Sequence, residues 1–331
     1  MSVLVTGAGG FVGLNIVEQL LGEGEHVVTL SDRPLFGPAL KVFEDLPGTL
    51  DMVTADVRAL ADVADAFKGR AIATVIHGAA ITLSPTSDFV PAERAIDVNL
   101  LGTRNVLDAA AAAGVGRFVY PSSSAVYGPA PFDGSPVGED TATRPAGVYG
   151  FTKLASERLL VDAQVRGVMD VAIGRITAVF GAWEHNTGVR EMLSPPFQLA
   201  GAALRGEVAV MPSGGVRDWT SSRDVAAALL ALARAPSLPS RLYNISAGKT
   251  WHPTLLADAL SRRLGRPVAK EGGVEEATIA FHDDVTRVRS PIDSTRIRND
   301  LGLTFMTPEE AVDDYARWSI ASGTDALGIA R

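Results

Sequence analysis

The chain has 331 residues, 47% hydrophobic and 21% charged, which is long enough for one large core or two ordinary lobes and is the composition of a folded globular protein. Its net charge of -8 and pI near 5.2 argue against nucleic acid or anionic membrane as partners and favour a small molecule. The absence of cysteine removes disulfides, thiolate zinc sites and cysteine nucleophiles.

Strands are predicted near 2–6, 26–31, 50–54, 72–76, 116–121 and 170–176. Between them, Phe11 to Leu21, Ala92 to Ala113 and Lys153 to Arg166 carry apolar residues at helical spacing. Strands alternating with crossover helices imply an α/β fold with a parallel sheet. After about residue 180 the chain turns to loops rich in Gly, Pro and Trp, with helices near 191–205, 222–234, 254–264, 294–301 and 308–321. Thr307-Pro308-Glu309-Glu310 is a helix start with the makings of a capping box. The expected organisation is a doubly wound parallel sheet over 1–180, to which segments such as 215–245 return, and a smaller, mostly α substrate lobe over 181–331. The chain shows no basic, apolar leader and no run approaching the ~20 apolar residues of a membrane span, so a cytoplasmic location is expected. The acidic pairs Asp283-Asp284 and Asp313-Asp314 read as solvated surface.

Directly after the first strand comes Gly7-Ala8-Gly9-Gly10-Phe11-Val12-Gly13. Glycines at these steps allow a tight strand-to-helix turn, close approach of backbone to a pyrophosphate, and close packing of helix on strand. The helix N-terminus that follows favours an anion. Asp32 ends the second strand, where a carboxylate accepts from an adenosine ribose and repels a 2′-phosphate; this is a Rossmann fingerprint that selects NAD. The adjacent Arg33 keeps NADP as the secondary reading. Asp56 and Val57, after the third strand, are placed to bracket the adenine, although Asp56 also suits a helix cap.

Further segments follow in fixed order: His77-Gly78-Ala79-Ala80, Asn99 to Thr103, Ser122-Ser123-Ser124-Ala125-Val126-Tyr127-Gly128, Tyr149-Gly150-Phe151-Thr152-Lys153 and Arg175 to Gly181. With the glycine loop, this ordered set resembles the extended short-chain dehydrogenase/reductase family, which includes nucleotide-sugar 4-epimerases and sugar dehydratases, over roughly residues 1–235. The resemblance implies Ser123, with Ser124 as the neighbouring alternative, as the hydroxyl that contacts the reacting oxygen, Tyr149 as acid/base and Lys153 as its partner. It implies that His77, Ala79, Ala80, Ser122 and Ile176 line the cofactor and that Asn99 holds the geometry beside it. The spacing supports the catalytic pair independently, because residues i and i+4 share a helix face. An ammonium beside Tyr149 is expected to lower a phenol that otherwise titrates near ~10. His77 reads as a packed strand-end residue, the remaining histidines 26, 185, 252 and 282 lack ligand spacing, and no metal is expected.

Dehydratases of the resembled family usually carry an Asp-Glu pair where Ser124-Ala125 stand here, so dehydration is disfavoured. A 4-epimerase, needing no group beyond the triad, and a net dehydrogenase of a free sugar, lactone or sugar acid both remain, with a non-catalytic NAD-binding regulator as a third reading. Arg217-Asp218-Trp219 resembles a segment whose arginine contacts a nucleotide diphosphate; its alternative is a salt bridge to Asp224. Thr177 stands where the family commonly has asparagine, Ile176 replaces a proline, and Arg287-Val288-Arg289 replaces an Arg-Pro-Gly-Asp segment, which weighs against a nucleotide sugar. The loop from Trp183 to Arg190 is the candidate for substrate specificity, with Trp183 stacking on a sugar ring and Arg190 or Arg289 holding an anion. The resemblance also implies a homodimer through the helices at 92–113 and 153–166.

Overall fold

The computed structural model describes residues 2–83, 90–190, 192–281 and 285–329. Seven parallel strands form the main sheet: β1 (Ser2–Thr6), β2 (His26–Ser31), β3 (Thr49–Thr54), β4 (Ile72–His77), β5 (Arg117–Ser123), β6 (Asp170–Ile176) and a late strand, Leu242–Ile245, that joins at the edge of β6. The central strands are nearly continuous apolar runs, such as Val3-Leu4-Val5, because helices cover both faces and no side of the strand meets water. On one face α1 (Phe11–Gly22) contributes Leu14, Ile16, Val17, Leu20 and Leu21 to the core, beside the helix at Ser222–Arg234. Both belong to the sheet's own cover.

Between β1 and β4 the direction of strand progression reverses, and the crevice at such a switch point is where open α/β sheets bind ligands. The helices α2 (Gly37–Phe43) and α3 (Leu60–Asp65) precede it in the chain. The single helix expected at 92–113 is instead α4 (Ala92–Ile96), a π turn at Asp97–Leu101 and α5 (Gly102–Ala112). The wide turn coincides with two tertiary constraints that no periodicity reveals. Gly102 lies against Val57, so that a Cβ would stand 2.7 Å from its side chain, and the Asn99 amide is bonded across to Ile81. The helix α6 (Val148–Val165) begins five residues before the expected start, which puts Tyr149 in its first turn.

The remaining elements are β7 (Ala178–Phe180), α7 (Pro195–Leu204), β8 (Ala209–Pro212), β9 (Trp219–Ser221), α8 (Ser222–Arg234), β10 (Leu242–Ile245), α9 (Thr254–Leu264), β11 (Ala269–Gly272), α10 (Thr295–Leu301) and α11 (Pro308–Leu327), the last broken at Gly323. Two small parallel pairs, β7 with β9 and β8 with β11, were not expected; their strands of three or four residues are too short to show a period of two. Phe180, Leu199, Met211, Trp251, Leu260 and Tyr315 form the separate core of the second lobe. The capping box of α11 forms in both directions, from Glu310 N–H to Thr307 Oγ1 and from Thr307 N–H to Glu310 Oε2. Asp313 and Asp314 pair on the surface with Arg263, Arg317 and Arg223. Asp283-Asp284, His282 and Glu191 lie outside the described residues.

Candidate active site

The loop after β1 has the backbone the glycines foretold. Gly7 adopts φ 65°, and a Cβ at Gly13 would collide with the Gly7 carbonyl and with Ala8. Two clefts meet above this loop. The larger, about 450 Å³, is lined by Gly7, Gly10, Asp32, Arg33, Asp56, Val57, Ala79 and Ala80. The smaller, about 270 Å³, is lined by Phe11, Val12, Gly13, Ser122, Ser123, Tyr149, Lys153, Ile176, Thr177 and Arg190. Linked clefts over a glycine turn, with a carboxylate at the outer end and a tyrosine at the inner, fit an extended dinucleotide.

Asp32 is half exposed at the end of β2, 3.2 Å from the Arg33 guanidinium. Asp56 is held below the usual carboxylate range chiefly by its hydrogen bonds from Arg58, a cleft residue the sequence reading did not single out.

In the inner cleft Tyr149 is flanked by the hydroxyls of Ser123 and Thr82, and Arg190 contributes a nearby positive charge. These influences favour the phenolate, but burial outweighs them and raises the phenol above its ordinary value. The expectation that Lys153 lowers it is therefore not met. The Lys153 ammonium donates to the Pro121 carbonyl at 2.7 Å, lies 4.6 Å from the centre of the Tyr120 ring, and is 6.0 Å from that of Tyr149. Burial pushes Lys153 down to about 7, opposed by Glu157 one helical turn later. Glu157 is itself saturated, accepting from Arg175 at 2.9 and 2.7 Å and from Ser122 Oγ at 2.5 Å.

Two residues expected beside the cofactor sit behind the wall. His77 is fully buried and is not among the cleft-lining residues; its ring nitrogens meet Thr6 Oγ1 at 2.6 Å and Thr103 Oγ1 at 3.0 Å, in keeping with the packed reading. Asn99 accepts from Ile81 N–H and donates to Ile81 O and Thr152 Oγ1, tying the end of β4 to α6. It fixes the wall rather than forming it. Trp183 is a clear correction. Its φ of 67° turns the side chain into the core, where it packs edge-on to Trp318 and Phe43 and donates to Glu18, so it is not open to a sugar ring.

Ser124, Arg217 and Arg289 converge away from the inner cleft, around Phe132. The Arg217, Arg287 and Arg289 guanidinium carbons lie 6.0, 4.1 and 5.9 Å from its ring centre. Arg289 donates to Ser124 Oγ at 3.2 Å, and Arg217 to the carbonyls of Val216 and Arg287. Asp224 is turned to the Met306 N–H, not to Arg217. The loop from Trp183 to Arg190 does reach the inner cleft, through His185, Thr187, Val189 and Arg190 rather than Trp183; Thr82, which follows the strand-end segment, also lines the cleft and was passed over in the sequence reading.

The model of the NAD dependent epimerase/dehydratase family matches residues 3–246. The chain belongs to this family. The epimerase-family enzyme is 29% identical to a UDP-glucose 4-epimerase of Streptomyces lividans over 280 residues, covering 80% of this chain and 82% of that one. It is 29% identical to UDP-arabinose 4-epimerase 1 of Arabidopsis thaliana over 340 residues, covering 96% of this chain and 78% of the other. The structure of MoeE5 in complex with UDP-glucuronic acid and NAD superposes with a TM-score of 0.75 at 29% identity, covering 97% of this chain and all of that one. As an NAD-dependent family member of the extended short-chain dehydrogenase/reductase type, the enzyme takes NAD as cofactor. Among its described residues, no helix is long and apolar enough to cross a membrane and no group of three His, Asp or Glu is placed to hold a metal ion.

Proposed function

We propose that this family member is a sugar 4-epimerase acting on an anionic sugar derivative, with Tyr149 as the proton-transfer group. The observation that supports this most is that Ser123, Tyr149 and Lys153 line the inner end of the dinucleotide-shaped groove together. NAD supplies a reversible hydride acceptor when bound. Ser123 orients the substrate hydroxyl, and Tyr149 takes its proton and later returns it. The Lys153 ammonium stabilises the phenolate while it exists; the Pro121 carbonyl accepts from that ammonium, and the charge of Glu157 favours its protonated form. Epimerisation asks nothing more of the protein than room for the keto intermediate to present its other face.

The 4-epimerase relatives are named for UDP-sugars, and guanidiniums such as those around Phe132 are the groups that receive a phosphate or carboxylate. This offsets the sequence departures that weighed against a nucleotide sugar, and puts UDP-sugars first among candidates. The same residues would serve a net dehydrogenase of a sugar acid. Incubation with NAD and UDP-sugars, free sugars, lactones and sugar acids separates the two: epimer without net NADH supports the proposal, and stoichiometric NADH overturns it. We further propose a homodimer through the outer faces of α6 and of α5 with the π turn before it, where Phe151 and Leu101 are 55% and 51% exposed. Light scattering of the wild type and of Phe151→Glu tests this, the variant being expected as a monomer.

A further inference from the structure

Residues 183–190, after β7, form a roof over the groove. Its base is rigid: the Glu184 carboxylate is buried, accepts from Ser194 N–H at 2.7 Å and Ser194 Oγ at 2.5 Å, and pairs with Arg190 at 2.8 Å. Val189 O accepts from Thr82 N–H at 3.0 Å, which fixes the far end to the strand-end segment after β4. Between these anchors His185, Thr187 and Val189 line both clefts, as do Gly7 and Gly10 of the glycine loop. The glycine loop and the roof therefore meet where the two clefts join.

Two contacts fasten the roof to the opposite rim. The Arg33 guanidinium donates to the Thr187 carbonyl at 2.7 Å. The His185 imidazole stacks on Phe36, just before α2, with ring centres 4.2 Å apart and planes within 9°. Gly328, at the end of α11, closes against the same rings, a Cβ there standing 3.5 Å from Phe36 and 3.8 Å from His185. His185 Nδ1 is bonded to the Trp183 carbonyl at 2.9 Å, and its burial keeps the ring neutral, which suits an apolar stack.

We infer that Arg33 with Thr187, and Phe36 with His185, form a strap that retains the dinucleotide between turnovers. This rests on the epimerase reading and deepens it. An epimerase returns electrons to the same substrate and gains from slow cofactor release, whereas a net dehydrogenase must exchange its cofactor at every turnover. A dinucleotide occupying both clefts lies under the roof where they join and leaves only when rim contacts open. The contacts are few, and Arg33 is half exposed, so the strap opens without unfolding the lobe.

The test uses full-length protein loaded with radiolabelled NAD and chased with unlabelled NAD, with Arg33→Met and His185→Leu as variants. Arg33→Met removes one charged donor from an exposed position and leaves the fold intact; its label is expected to leave about tenfold faster than from wild type, and faster still from the double variant. Melting curves confirm that His185→Leu is folded. Label loss within about twofold of wild type in both folded variants overturns the strap. The chase contains no substrate, so a wild type that yields net NADH and no epimer would defeat the epimerase reading while leaving the measured retention to stand or fall by itself.

Discussion

Lys153 does not point at Tyr149: its ammonium donates to the Pro121 carbonyl at 2.7 Å and lies 6.0 Å from the centre of the tyrosine ring. The lysine is thus no hydrogen-bond partner of the phenol, which shares the inner cleft with Ser123 and Thr82. With burial raising the phenol, Tyr149 is protonated at neutral pH and is set to donate to a carbonyl.

Tyr149→Phe is expected to cut turnover by about 10²–10⁴-fold, the ordinary worth of a positioned acid/base, with NAD binding unchanged. Initial rates and equilibrium titration with NAD check the two halves of the statement. Full turnover in the variant would move the proton transfer to another group.

Glu157→Gln breaks the buried pair with Arg175 and is expected to cost on the order of 3–5 kcal/mol, because a guanidinium only 3% exposed loses its countercharge. Lys153 then loses the one influence that raises it, so its pKa falls further below about 7. Urea denaturation reads the first effect, and NMR titration of the lysine reads the second.

His77 is held down to about 3 by burial and by the charge of Lys153, against 6.5 for the free side chain. Between these values the unfolded chain binds a proton that the folded chain refuses, so stability falls as pH drops through that window. His77→Asn is expected to flatten the dependence of the urea midpoint between about pH 4.5 and 6.5. An unchanged slope would assign the acid sensitivity elsewhere.

Trp183→Ala is expected to destabilise the protein by about 3–5 kcal/mol, the usual loss for a large buried aromatic, without altering the choice among sugars. Thermal unfolding and a substrate panel measure these separately. A changed sugar preference at unchanged stability would restore the indole to the substrate site.

The sequence by itself determined the sheet's first six strands, the glycine turn, the acidic end of β2 and the order in which Ser123, Tyr149 and Lys153 reach the cleft. Each is a local matter: continuous apolar runs mark buried strands, only glycine tolerates the turn at Gly7 and the close approach at Gly13, and i and i+4 share a helix face. Tertiary structure alone decided which way Trp183 points, where the helix at 92–113 widens, and how the loop at 183–190 is fastened over the groove. Trp183 turns inward because the core near Trp318 and Phe43 rewards its burial more than a left-handed φ opposes it. The roof over the cofactor depends on pairs far apart in the chain, Arg33 with Thr187 and Thr82 with Val189. Those contacts have no period or spacing to read, because packing of the two lobes is what brings them together.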